Sequence, residues 1–191
     1  SGGVNLSFQV ARELAAQDER YFMPDQFSNP LNPQAHYETT GAEILEDMGD
    51  LPIDVLVCGI GTGGTITGVG RRLKERYPHI KIIGVEPCPD ESIEGLRCLG
   101  EGFVPPVLDL NLLTLRAEVK REDAFKALRE LLEKEGIFAG ISSGAVIYEA
   151  LEIAKEIDRG NIVAILPDGG WKYLSLGEEI WRGSGRPTPE G

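Results

Sequence analysis

The strongest constraint on the fold is a run of four signals within residues 55–86: a buried apolar segment, a glycine loop, a helical pattern and a second apolar segment. Val55-Leu56-Val57-Cys58 is short, apolar and β-branched, which reads as an interior strand. Gly59-Ile60-Gly61-Thr62-Gly63-Gly64-Thr65 follows without a spacer. Residues 66–77 then place Ile66, Val69 and Leu73 at helical spacing, with Arg71, Arg72, Lys74 and Glu75 between them, until Pro78 ends the pattern. Residues 81–86 form a second β-branched strand, and a strand-helix-strand crossover of this length makes the two strands parallel.

The rest of the chain keeps this alternation. Residues 4–16 carry an apolar helical face, and residues 36–48 read as a second helix. Between them, Ser28-Asn29-Pro30-Leu31-Asn32-Pro33 reads as irregular, because each proline restricts the residue before it. Residues 87–112 have no sustained period and several Gly and Pro, and are expected to be mostly loop, a length that usually marks function or mobility. A strand over 113–119, helices over 122–135 and 145–157, and a strand over 162–166 complete the pattern. The expected class is α/β: an open, mostly parallel sheet with helices on both faces. Residues 183–191 are rich in Gly and Pro with almost no apolar content, and are expected to be a disordered tail.

The glycine loop sits where a strand ends and a helix begins, so successive N–H groups and the positive end of the helix converge on one point. An anion fits there. Glycine allows close backbone approach, and the Thr62 and Thr65 hydroxyls can each donate to a phosphate oxygen. The same residues also satisfy a dinucleotide fingerprint at Gly59, Gly61 and Gly64, with Glu86 ending the next strand where a ribose-binding acid would lie. The two threonines suit a single terminal phosphate better than a bridging pyrophosphate, but the loop alone leaves both readings open.

Two further turns carry related signals. Gly140-Ile141-Ser142-Ser143-Gly144 opens the helix expected at Ala145, so Ser142 or Ser143 could be a ligand contact or simply an N-cap. Leu166-Pro167-Asp168-Gly169-Gly170 places Asp168 at the carboxyl end of a parallel strand, where ligands bind, or in a plain β-turn.

Composition removes several classes of function. With 31 acidic against 19 basic residues and a net charge of −12, the chain has no basic tract to neutralise a nucleic acid backbone. Its longest apolar runs fall far short of the roughly 20 residues needed to cross a bilayer. Cys58, Cys88 and Cys98 are odd in number and lack C-x-x-C spacing, which argues against a zinc site or a disulfide framework and for a reducing cytoplasm.

Four segments taken together resemble the cysteine synthase family of pyridoxal phosphate enzymes, of fold type II. They are Asn-Pro-Leu-Asn-Pro-Gln-Ala-His-Tyr-Glu-Thr-Thr-Gly from Asn29, Gly-Thr-Gly-Gly-Thr-Ile-Thr-Gly from Gly61, Gly-Ile-Ser-Ser-Gly from Gly140 and Leu-Pro-Asp-Gly-Gly-Trp-Lys-Tyr-Leu-Ser from Leu166. The resemblance covers about residues 4–177 in the family's order. His36-Tyr37, Glu101-Gly102-Phe103-Val104-Pro105 and Trp171-Lys172-Tyr173 look like the cysteine synthase B branch, which includes members accepting O-phosphoserine.

The resemblance implies that Gly61, Thr62, Gly63, Gly64 and Thr65 bind the cofactor phosphate and that Ser142 faces the pyridine nitrogen. A neutral hydroxyl there leaves the ring a weaker electron sink than a carboxylate would, which suits β-elimination and replacement. The implied reaction joins a serine ester (O-acetylserine or O-phosphoserine) to a sulfur donor, giving L-cysteine. Gln26 matches a family glutamine near the substrate carboxylate, with loop stabilisation as the alternative. Arg97 is the candidate for an anionic leaving group, where a guanidinium offers bidentate contact, or else a solvated surface residue. A homodimer is also implied.

The chain departs from the family in one respect. The family's Schiff-base lysine, followed by a Ser/Thr-Gly-Asn turn, has no counterpart here. Lys74, Lys81, Lys120, Lys126, Lys134, Lys155 and Lys172 are the seven lysines, and none lies in such a motif. The expected reading is a C-terminal portion: residues 1–23 end a small domain, residues 24–182 form the large cofactor-binding domain, and the lysine belongs to a missing N-terminal segment. No catalytic residue can be named in this chain. Alone, it is expected to be inactive and to bind the cofactor weakly at most. A dinucleotide-binding oxidoreductase domain and a non-catalytic regulatory module are the competing readings.

Overall fold

The computed structural model describes residues 3–181; the tail expected at 183–191 lies outside them. Eleven regular elements are described. They are α1 (Gly3–Gln17), α2 (Leu31–Glu38), α3 (Thr40–Met48), β1 (Val55–Gly59), α4 (Gly64–Arg76), β2 (Lys81–Pro87), β3 (Leu115–Val119), α5 (Arg121–Glu135), α6 (Ile141–Glu156), β4 (Ile162–Ala164) and α7 (Gly177–Trp181).

The sheet has the order β3-β2-β1-β4, and every pairing is parallel. Because successive side chains on a strand point to opposite faces, the two central strands feed two separate cores. Val55, Val57, Ile83 and Val85 pack against Phe125 and Leu128 of α5 and Ile141 and Val146 of α6. Leu56, Cys58 and Ile82 pack against Ile66, Val69 and Leu73 of α4, backed by residues of α3. Ile66, Val69 and Leu73 are all but fully buried, and each contributes about 1.5–3 kcal/mol of apolar burial. Helices therefore cover both faces, as the alternating pattern requires.

The N-terminal helices differ from expectation. The single helix expected at 36–48 is two, divided at Thr39 (φ −111°, ψ −81°), and the first begins at Leu31 inside the proline-rich segment. Pro30 occupies the N-cap of α2 and Pro33 its first turn, where a missing N–H has no intrahelical partner to lose. Thr39 ends α2 by turning its own hydroxyl back onto the Ala35 carbonyl at 2.7 Å. α2 then crosses α4 at backbone distance: a Cβ on Gly68 would lie 2.1 Å from the Pro33 carbonyl oxygen.

The long segment 87–112 is irregular, with two short 3-10 turns (Leu99–Glu101 and Leu110–Leu112), and it is anchored across the carboxyl ends of the strands. Arg97 N–H donates to Ile60 O at 2.8 Å, Leu99 N–H to the Glu86 carboxylate at 2.6 Å, and Asp109 N–H to Thr67 Oγ1 at 3.0 Å. A further 3-10 stretch, Gly170–Leu176, and α7 follow β4 and fold back on α5, where Arg129 donates to the Ile180 carbonyl.

Candidate functional site

The glycine loop leaves β1 at the carboxyl edge of the sheet and becomes α4 at Gly64, two residues earlier than the apolar periodicity predicts. Gly63 is the N-cap, at φ +85°, a left-handed conformation that a side chain would strain. The cap is backbone only, so the first-turn N–H groups of α4 have no side-chain oxygen from the cap itself.

Gly61, Thr62, Gly63 and Thr65 line one cavity of about 200 Å³, together with Gly59, Gly95, Leu96, Ser142, Val146 and Pro167. Cys58 also reaches it; its thiol is buried and burial pushes its pKa up to about 12, so it stays protonated. Gly95 of the long segment forms the opposite wall, at φ +91°. Its carbonyl approaches Gly61 so closely that a Cβ there would lie 2.7 Å away.

Two side chains from α2 organise the threonines. Asn32 Nδ2 donates to Thr62 Oγ1 at 3.0 Å and to the Gln26 carbonyl at 2.7 Å. The Gly64 N–H donates to the same Thr62 oxygen at 3.2 Å. With both lone pairs of that oxygen occupied, the Thr62 hydroxyl has only its proton left to offer. His36 Nε2 lies 3.2 Å from Thr65 Oγ1, and its Nδ1 lies 3.0 Å from Thr40 Oγ1. Partial burial lowers the pKa of His36, favouring the neutral ring. The sequence reading named His36 as part of the branch resemblance and did not single out Asn32. Both act across about thirty residues, and the only sequence signal for them was their membership of the Asn29 motif.

Ser142 is not an N-cap. α6 starts at Ile141 with Gly140 as its N-cap, and no side chain caps it. Ser142 therefore lies inside the first turn, is 3% exposed and faces the cavity. A Cβ on Gly95 would sit 3.4 Å from its hydroxyl, so the two walls approach closely here. The third glycine turn is stitched to the second: Gly140 N–H donates to Asp168 O at 2.9 Å and Gly170 N–H to Phe138 O at 3.0 Å. Asp168 Oδ2 accepts from the Tyr173 hydroxyl at 2.8 Å. Burial and then this carboxylate push the Tyr173 pKa up to about 12, which keeps it a donor.

Gln26 and Arg97 are not among the cavity's lining residues. Gln26 is exposed, joined to the loop through its carbonyl and Asn32. Arg97 is half-buried, its guanidinium 5.2 Å from the Phe27 ring centre and 4.9 Å from that of Phe103. None of the seven lysines lines the cavity.

The donor set fits a phosphate ester on a flat heteroaromatic ring. At one end are a helix N-terminus, glycines that allow backbone approach and a hydroxyl poised to donate; at the other is a neutral hydroxyl at Ser142. It does not fit a dinucleotide. Glu86, which would have to meet the ribose, is 1% exposed, with its oxygens taken by Leu99 N–H at 2.6 Å and by Arg116 Nε at 2.7 Å.

Comparison with known proteins agrees. A cysteine synthase of Staphylococcus aureus (strain N315) is 42% identical over 177 residues, covering 88% of this chain and 57% of that enzyme. A hydrogen sulfide-producing enzyme of Fusobacterium nucleatum superposes with a TM-score of 0.84 at 41% identity, over 90% of this chain and 61% of the other. O-ureido-L-serine synthase superposes with a TM-score of 0.87 at 35% identity, over 98% of this chain and 61% of the other. The chain thus spans about three fifths of the length of these relatives. Residues 1–168 match the family described as pyridoxal-phosphate dependent enzymes. The chain belongs to the pyridoxal-phosphate dependent enzyme family.

Proposed function

We propose that this chain is the cofactor-holding part of a cysteine synthase, which makes L-cysteine by β-replacement on O-acetylserine or O-phosphoserine with a sulfur donor. The observation that carries the reading is the Thr62 hydroxyl, whose oxygen accepts from both Asn32 and Gly64 and is left to donate to an anion. When bound, pyridoxal phosphate would supply the electron sink for chemistry at the substrate α-carbon.

Gly61, Thr62, Gly63, Gly64 and Thr65 hold the phosphate through N–H groups and hydroxyls, with Asn32 and His36 fixing the rotamers of Thr62 and Thr65. Ser142 meets the pyridine nitrogen with a neutral hydroxyl, favouring elimination and replacement at Cβ. Gly95 and Leu96 form the wall that narrows the cavity against water. Gln26 donates to the substrate carboxylate. Arg97, its face held between Phe27 and Phe103, receives an anionic leaving group, which favours the O-phosphoserine branch. Residues 1–23 close a small domain and residues 24–182 form the large one. The whole enzyme is a cytoplasmic homodimer, with no nucleic acid partner and no membrane association. The Schiff-base lysine comes from outside this chain, in keeping with a cavity that none of the seven lysines lines.

The test is cysteine formation from each ester with sulfide and pyridoxal phosphate. It compares this chain alone with a polypeptide in which the lysine-bearing N-terminal segment of the Staphylococcus relative precedes it. Cysteine is expected only from the joined polypeptide. A joined polypeptide that binds the cofactor yet makes no cysteine would sink the proposal, and sustained turnover by the chain alone would overturn the placement of the lysine. Within the joined polypeptide, Arg97→Ala should depress O-phosphoserine turnover more than O-acetylserine turnover; equal losses would remove Arg97 from the leaving-group site.

A further inference from the structure

The segment that walls the cavity is held from behind by a residue the proposed mechanism does not use. α5 begins after Lys120, which makes no side-chain cap, and Glu91 of the long segment supplies the missing acceptor: its carboxylate takes the Arg121 N–H at 2.5 Å. The Arg121 guanidinium, 22% exposed, then reaches back to the same segment. It donates in a fork to Glu94, at 2.8 Å from Nη1 and 3.0 Å from Nη2, and also to the Ser92 carbonyl. Its Nε donates to Glu179 of α7 at 2.9 Å, and its plane lies 4.7 Å from the centre of the Phe125 ring.

The fork adjoins the cavity wall directly. Gly95, whose carbonyl abuts Gly61, and Leu96, whose side chain would meet a Cβ on Gly59 at 2.5 Å, follow Glu94 directly. We propose that Arg121 is a positioning residue, which latches residues 91–97 to α5 and α7 and so sets how closely the Gly95–Leu96 wall stands against the glycine loop and Ser142. A bidentate guanidinium between two carboxylates fixes direction as well as distance, which a lysine at the same place would not. The segment is also held by Arg97 N–H donating to Ile60 O and by Ile93, which is buried in the core. Loss of the latch should therefore loosen the wall while leaving the sheet intact. The consequence for cofactor affinity rests on the proposed function; the latch itself does not.

The experiment is amide hydrogen exchange on the full chain, in Arg121→Met and Glu94→Gln, with Glu130→Gln on the exposed Lys134 pair as control. Exchange at Leu96, Arg97 and Leu99 should quicken about tenfold or more in both latch variants, with β1, β2 and α4 unchanged, and should not change in the control. In the joined polypeptide, pyridoxal phosphate affinity, followed by absorbance, should fall several-fold with the same two substitutions. If Arg121→Met does not fold, Glu94→Gln decides alone. Unchanged exchange at residues 92–99, or an equal rise across the whole core, overturns the latch. Should the joined polypeptide bind no pyridoxal phosphate with or without these substitutions, the cofactor reading fails while the exchange data still decide the latch.

Discussion

Gly64→Ala is the substitution whose effect the structure fixes most closely. A Cβ on Gly64 would lie 1.9 Å from Asn32 Oδ1 and 2.3 Å from Asn32 Cγ, whereas real Cβ atoms essentially never approach within 3.0 Å. The Asn32 amide must therefore retreat by about 1 Å. That stretches both bonds it donates, 2.7 Å to Gln26 O and 3.0 Å to Thr62 Oγ1, out of hydrogen-bond range. At about 1 kcal/mol per neutral bond the loss is about 2 kcal/mol. Alanine's better helix propensity returns up to about 1 kcal/mol. The net cost is about 1–2 kcal/mol, a fall in Tm of about 2–8 °C for a chain of this length. The informative comparison is the Asn32→Ala background, where the new methyl has nothing to strike. There Gly64→Ala should be neutral or stabilising, and the double variant should be about 2 kcal/mol more stable than the single losses summed. Urea unfolding followed by circular dichroism measures all four proteins. Single losses that add to within about 0.5 kcal/mol would refute the placement of Asn32 over the loop.

Three other outcomes follow from the same geometry. Gly68→Ala forces a methyl to 2.1 Å from the Pro33 carbonyl, a backbone atom that cannot rotate away, so thermal unfolding should show a loss of about 1–3 kcal/mol despite the gain in helix propensity. Because burial lowers the folded-state pKa of His36 below the ordinary imidazole value of 6.5, the unfolded chain binds the proton first. Stability should be intact above that value and fall as the pH drops from there towards the lowered one, a slope that His36→Gln should remove in urea titrations across pH 5–8. Glu86→Gln removes the charge from a carboxylate bound by Leu99 N–H and Arg116; it should cost about 1.5–3 kcal/mol in the same unfolding assay, and should leave no nicotinamide dinucleotide affinity to lose in isothermal titration.

The parts of the fold legible in the sequence are those governed by local rules. A short β-branched run, a glycine turn and a 3.6-residue period sufficed for β1, α4 and β2, because each element's burial pattern repeats within a few residues. α2 was hidden by the same rules. Its prolines occupy the cap and first turn, where proline is harmless, yet in sequence they read as interruptions. The site divided in the same way. Gly61, Thr62, Gly63, Thr65 and Ser142 announced themselves as turn chemistry at strand and helix ends. Asn32 and His36 did not, since their role depends on α2 lying against α4 at Gly68. Glu86 kept the dinucleotide alternative open, because its position suited a ribose ligand while its partner Arg116 stands thirty residues away. Arg97 belongs with these: only the folded chain places it between two phenylalanine rings.

The central claim is that Gly61–Thr65 is a phosphate cradle, and its most direct test follows the backbone amides of those five residues by nuclear magnetic resonance. The isotope-labelled chain would be titrated with pyridoxal phosphate and, separately, with pyridoxal, which carries the ring without the phosphate. The amides of Gly61, Thr62, Gly63, Gly64 and Thr65 should shift with the phosphate ester, and hardly at all with pyridoxal at equal concentration. Equal shifts with both compounds, or shifts confined to residues elsewhere, would contradict it.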